Sequence, residues 1–155
     1  MIVKKLPILF AFFLCVFALA VPAQRNVTPA IDRDPLMDMD AKHNLDVAHQ
    51  YFDLKKAYKA ALERFEETYA AYPTFSKIDE FLYLAGMSSY YLSEGKGKQK
   101  FDLKKEKDPA KYDPAKLKEN ATAYLSEIVD KYPESKFKSD AEKTLAMLKG
   151  QKPAQ

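Results

Sequence analysis

Tryptophan is absent from the 155 residues, cysteine occurs once, histidine twice and glycine four times. The lone Cys15 excludes an intramolecular disulfide and a cysteine metal cluster. It also lies in a leading segment expected to be removed, so the exported chain is expected to carry no thiol nucleophile. His43 and His49, six residues apart on a helix, share no face, and no His, Cys or carboxylate cluster has metal-ligand spacing. Gly95-Lys96-Gly97-Lys98 lacks the full phosphate-loop pattern and follows a helix rather than a strand. A one-sided charge is lacking too. The 25 basic residues include Lys4 and Lys5 of the leading segment and face 22 acidic ones, so the exported chain is close to neutral and a nucleic-acid partner is excluded. These absences exclude the usual equipment of an enzyme. Neither a catalytic residue, a metal nor a cofactor is expected.

The one long apolar run, Leu6 to Val21, follows Lys4 and Lys5 and ends in small residues, which predicts an export signal over 1–23 cleaved after Ala23. The run contains Pro7 and is short for a membrane-spanning helix. Retention as an uncleaved anchor and lipidation of Cys15 stay as alternatives. Against lipidation, Leu14 stands where a lipobox has a small residue, and Val16 to Val21 continues apolar.

No segment alternates with period two; what remains is helical. After a flexible leader over 24–35, Ala41, Leu45, Ala48 and Phe52 mark one amphipathic helix. Ala57, Ala61, Leu62, Phe65 and Tyr69 mark a second, stopped at Tyr72-Pro73. Ser76 and Asp79 resemble a capping box opening a third helix, with Ile78, Leu82, Ala85, Ser89 and Leu92 on one face and Tyr83, Met87 and Tyr90 on another. A helix apolar on two faces is sandwiched or presents one face to a partner. Asp113-Pro114 is an N-cap and first-turn proline for a fourth helix, lined by Leu117, Ala121, Tyr124, Leu125 and Ile128 and stopped at Tyr132-Pro133. Phe137, Ala141, Leu145 and Leu148 mark a fifth, ending at Gly150 before a flexible tail over 150–155. Between the third and fourth helices, residues 94–118 hold nine lysines and five acids, a basic insert of net +4. It reads either as a solvated connection or as a docking loop with Phe101 and Tyr112 as apolar anchors.

The chain repeats itself. Ala61 to Pro73 and Ala121 to Pro133 place a closing Tyr-Pro at the same distance from an alanine, at an offset of 60; Leu45, Ala48, His49 and Phe52 match Leu82, Ala85, Gly86 and Ser89 at an offset of 37. The difference, 23 residues, is most of the insert. Each unit is a helical hairpin that cannot bury its apolar face alone but can when stacked. These residues resemble the tetratricopeptide repeat, with Gly86 in the small position of the second unit and His49 replacing it in the first. Because Thr74-Phe75 precede Ser76-Lys77 whereas only Glu134 precedes Ser135-Lys136, the two joints after Tyr-Pro are expected to differ.

Ala57-Tyr58-Lys59-Ala60-Ala61, Phe81-Leu82-Tyr83-Leu84-Ala85-Gly86 and Tyr132-Pro133-Glu134-Ser135 with Ala141 make residues 36–149 similar to the repeat region of the BamD outer-membrane assembly factors. The repeat region of the CpoB cell-wall and Tol-system factors shows similar tyrosine-proline endings. The resemblance implies an all-α, short right-handed solenoid of about five helices, acting as a non-enzymatic periplasmic interaction scaffold in outer-membrane protein assembly or envelope maintenance. It also implies partners that are envelope proteins or peptides, outer-membrane assembly components among them, taken in a groove lined by the first helix of each hairpin. Mapped on this chain, the groove would show His43, Asp46, Gln50 and Asp53 from one unit and Glu80, Tyr83, Met87, Tyr90 and Tyr91 from the next. Tyrosine and methionine suit recognition surfaces, and the competing reading packs them against neighbouring helices. The insert, through Lys96, Lys98, Lys100, Phe101, Lys104 and Lys105, is expected to tune capture or to touch a membrane surface peripherally. The alternative from another class is a small-ligand or lipid-binding helical domain using the Tyr83, Met87 and Tyr90 stripe as its pocket.

Overall fold

A computed structural model describes residues 34–99 and 102–150. Five α-helices follow one another, with no strand among the described residues: α1 Pro35–His49, α2 Tyr58–Ala71, α3 Ile78–Ser93, α4 Pro114–Lys131 and α5 Lys138–Leu148. α1 and α2 form one hairpin, α3 and α4 a second, and α5 packs on α4. This is the all-helical hairpin stack expected from the repeats. None of the described helices is long and apolar enough to cross a membrane.

The apolar stripes meet in one core. Leu45, Leu62, Phe65, Phe81, Leu82, Leu117, Leu125 and Ile128 are wholly buried or nearly so. Phe65 sits at its centre, edge-on to Phe81 at 5.5 Å and to Tyr124 at 5.0 Å, contacts worth about 0.5–1.5 kcal/mol each beyond burial. α3, apolar on two faces, is the sandwiched helix, packing on α2 and α4 and reaching α5 through side chains. At its crossing with α4, a β-carbon added to Gly86 would lie 2.7 Å from Leu125 Cγ and Cδ2. Only a hydrogen fits there, which is why the small position of this unit is a glycine.

In the first unit, where His49 replaces that glycine, α1 does not continue as an α-helix. It passes at once into a π turn, Gln50–Leu54, and the imidazole stays half-exposed. The wider turn admits one extra residue, rotating the following side chains, before Lys56 reverses the chain at φ 50°.

Two expectations about helix ends divide. Asp113 caps α4, its Oδ1 accepting from the backbone of Ala115 at 2.9 Å and Lys116 at 3.4 Å, with Pro114 in the first turn. The capping box at Ser76 does not form, because both members are used in longer-range hydrogen bonds. Ser76 gives its amide and hydroxyl to Asp38 of α1 at 3.1 and 3.0 Å, and Asp79 accepts from the Ser135 hydroxyl at 2.6 Å.

The two joints, expected to differ, begin alike and diverge at their last residue, Lys77 at φ −115°, ψ 37° and Phe137 at φ −88°, ψ −9°. Tyr72 and Tyr132 share backbone angles (φ −133°, ψ 62° and φ −126°, ψ 64°). Each joint then makes the same bonds 60 residues apart: Phe75 N to Tyr72 O and Ile78 N to Phe75 O, then Ser135 N to Tyr132 O and Lys138 N to Ser135 O. Tyr-Pro fixes the turn, and the residues between it and that last residue are free to vary around one backbone path.

Residues 94–118 are not one irregular loop. Pro114 to Lys118 are the first turns of α4, and two short 3-10 turns, Leu103–Lys105 and Pro109–Tyr112, organise the segment before them.

Candidate interaction face

The first helices of the hairpins and the joint before α5 bring one row of side chains together. His49, on the last turn of α1, has Nδ1 2.9 Å from Asp53 Oδ2 and Nε2 3.2 Å from Glu80 Oε1 on α3. Glu80 also faces Lys136, Nζ to Oε1 3.5 Å, in the joint leading to α5. One half-buried carboxylate therefore ties three successive units, and a ring with a carboxylate at each nitrogen is held in orientation. One turn along α3, Tyr83 stacks on Phe137 at 4.7 Å and 19° between planes, and the Lys136 ammonium stands 4.7 Å from the Phe137 ring centre. Burial, then the charge of Asp140, pushes the Tyr83 phenol up, so it stays a neutral donor.

The face expected from the sequence is brought together in part. His43, Asp46, Gln50 and Asp53 are exposed on α1 and its π turn, and Glu80 on α3 meets this helix through His49. Met87 turns inward: it is 7% exposed and its sulfur accepts from the Thr144 hydroxyl of α5 at 3.6 Å. Tyr83 and Met87 thus spend surface on Phe137 and on α5 rather than on a pocket shared with Tyr90. Tyr91 joins an aromatic cluster with Tyr58 at 4.8 Å and Phe52 at 5.9 Å, and Tyr90 packs beside it at 5.7 Å. Sequence reasoning missed Lys136 and Phe137, the third unit's share of the row. The offset of 60 relates them to Ser76 and Lys77, neither of which is in the row, so the repeat carried no signal for them.

The insert belongs to another surface, the outward side of α2. Gln99 Oε1 accepts from the Ala60 amide at 3.3 Å, Lys59 pairs with Glu63 at 2.8 Å and with Glu106 at 3.4 Å, and Lys111 pairs with Glu66. Tyr112, expected as an anchor for a partner, is 5% exposed and gives its hydroxyl to Glu63 at 2.9 Å. It anchors the insert to its own domain instead, because Glu63 offers a buried phenol an ionised acceptor. Burial, the Glu63 hydrogen bond and the charges of Glu63, Glu106 and Glu66 together push the Tyr112 phenol far up. For Glu63, burial would raise the carboxyl, but hydrogen bonds from Lys59 and Tyr112 and the charges of Lys59 and Lys111 outweigh it and hold it low. Lys105 pairs with Asp102 at 3.6 Å, while Lys96, Lys98 and Lys104 lie exposed. Lys100 and Phe101 lie outside the described residues. No group of His, Cys, Asp and Glu among the described residues has metal-site geometry.

With this geometry, comparison with known proteins is informative. The chain matches the YfiO family model, described as outer membrane lipoprotein, over residues 41–152. No curated protein and no solved structure matches it. The match takes in all but the first residues of α1 and runs through the whole of α5, and the chain belongs to the YfiO outer membrane lipoprotein family.

Proposed function

We propose that this member of the outer membrane lipoprotein family is a non-enzymatic scaffold of the bacterial envelope, serving outer-membrane protein assembly or maintenance from the periplasm. The family match over both hairpins carries the reading. Its mechanism is capture of an extended segment of a partner protein along the row formed by Asp46, Gln50, Glu80 and Tyr83, with Lys136 and Phe137 at the far end. The row offers acceptors, donors and one aromatic edge on three rigid elements, the mixture a peptide backbone and its side chains require. Asp46 and Gln50 are the exposed contacts, and Glu80 holds the units in register.

Site-specific photocrosslinking in cells tests this. A crosslinker at Asp46 or Gln50 is expected to trap a defined outer-membrane assembly component, identified by mass spectrometry. The same probe at Glu119, on the exposed surface of α4, is expected to trap none. Equal trapping from both positions, or trapping from Glu119 alone, would remove the interface from this row. A purified chain carrying a stoichiometric hydrophobic ligand would instead favour a ligand-binding domain.

A further inference from the structure

The end of the first hairpin, where the π turn leads into α2 and the insert crosses over it, carries a second surface. Lys98 N donates to Lys56 O at 2.9 Å, closing the insert onto that turn. Gly97 makes the closure feasible: its φ is +124°, and a β-carbon there would lie 3.0 Å from Lys56 O and 3.2 Å from Tyr58 Cδ2. The closure brings Lys55 and Lys56 of the turn together with Lys96 and Lys98 of the insert, beside Tyr58. The Lys55 ammonium lies 4.7 Å from the Tyr51 ring centre, and that of Lys96 lies 5.7 and 5.5 Å from Tyr90 and Tyr91. Of the carboxylates adjoining these lysines in the chain, Asp53 pairs with His49 at 2.9 Å and Glu94 with Lys118 at 3.0 Å. Beside the lysines Leu54 is 75% exposed, and Leu103, in the first turn of the insert, is 43% exposed.

We propose that this lysine-tyrosine end of the first hairpin, with Leu54 as its apolar tip, is a contact surface for an anionic phospholipid bilayer. Ammonium groups pair with lipid phosphates, tyrosine rings suit the headgroup layer, and a leucine projecting beyond them enters the acyl boundary. An acidic protein partner would match the charge but gives no role to a leucine held out in water between Asp53 and Lys55. The cation-π contacts hold the ammonium groups over the rings before the surface meets a membrane, so little ordering is left for binding. The surface lies at the end of the hairpin and is independent of the interaction row on its face.

Vesicle sedimentation of the exported chain tests the assignment. Wild type is compared with a quadruple variant, Lys55→Gln, Lys56→Gln, Lys96→Gln and Lys98→Gln. The control carries the same charge change at exposed Lys116, Lys131, Lys143 and Lys149. Circular dichroism melts check that all three fold. At about fivefold per lysine, partition onto phosphatidylglycerol-containing vesicles is expected to fall roughly a hundredfold or more in the first variant and less than tenfold in the control. Raised salt is expected to weaken the wild type most. Leu54→Ser is expected to weaken binding at both salt levels. Equal losses in the two quadruple variants, or wild-type binding equal on phosphatidylcholine alone, would overturn the proposal. Binding to polyglutamate without binding to anionic vesicles would overturn it in favour of an acidic protein.

Discussion

At Gly86 a hydrogen stands where any other residue would drive a methyl group to 2.7 Å from Leu125, and Leu125 is itself wholly buried with nowhere to swing. Gly86→Ala should therefore lose about 1–3 kcal/mol despite the gain in helix propensity, because α3 and α4 must part or Leu125 must leave its rotamer. Gly86→Ala combined with Leu125→Ala is expected to lose less than the sum of the two single changes, the second substitution opening the space the first needs. Denaturant unfolding of the four forms of the cycle measures this, and simple additivity would show that the crossing is looser than drawn. Asp113 is a second decisive residue. Its carboxylate accepts from two free amides of α4, so Asp113→Ala should cost about 1 kcal/mol and Asp113→Asn much less, read in the same experiment.

Among the elements, the insert has the sharpest pH signature. Glu63 is held below its ordinary range, so its contribution is complete above the unfolded carboxyl value near pH 4.3 and is lost as pH falls through the lower folded value. Tyr112 is pushed up, so its contribution is complete below about pH 10 and is lost only as pH rises through its higher folded value. Hydrogen-exchange protection across residues 102–112, corrected for the intrinsic pH dependence of amide exchange, should hold between those limits and fall in acid. Glu63→Gln should flatten the acid limb, and Tyr112→Phe should quicken exchange at neutral pH. An acid limb unchanged in Glu63→Gln would place the control elsewhere. This is also where the sequence was least legible. The helices announced themselves because one face of each is largely apolar, with Asp-Pro opening α1 and α4 and Tyr-Pro closing α2 and α4. The insert's order rests on a buried tyrosine finding Glu63, 49 residues earlier, and on Gly97 meeting Lys56, and no local pattern encodes either. The row across α1, α3 and the last joint was half visible: the tetratricopeptide resemblance suggested Asp46, Gln50 and Glu80, but burial of Met87 under α5 depends on how two elements distant in the chain pack. The Ser76 capping box failed for a related reason, since a local hydrogen bond was outcompeted by Asp38 from another helix.

At the scale of the molecule, the family's description as a lipoprotein meets a leading segment in which Leu14 precedes Cys15 and apolar residues follow it. From those residues the exported chain is expected to begin at Gln24 with no acyl group, and intact-mass measurement of protein from the envelope checks it. A diacylglyceryl group on Cys15 would show the opposite and would make the bilayer contact of the first hairpin an aid to an existing anchor. The paired joints have a further consequence. Because Tyr72 and Tyr132 share backbone angles and the bonds that follow them, the step from α2 to α3 and the step from α4 to α5 begin on the same turn, and the two part only at Lys77 and Phe137. The bend of the proposed interaction row therefore depends on these connections as well as on the side chains on display. Those side chains can change to suit a different partner while the two turns stay as they are.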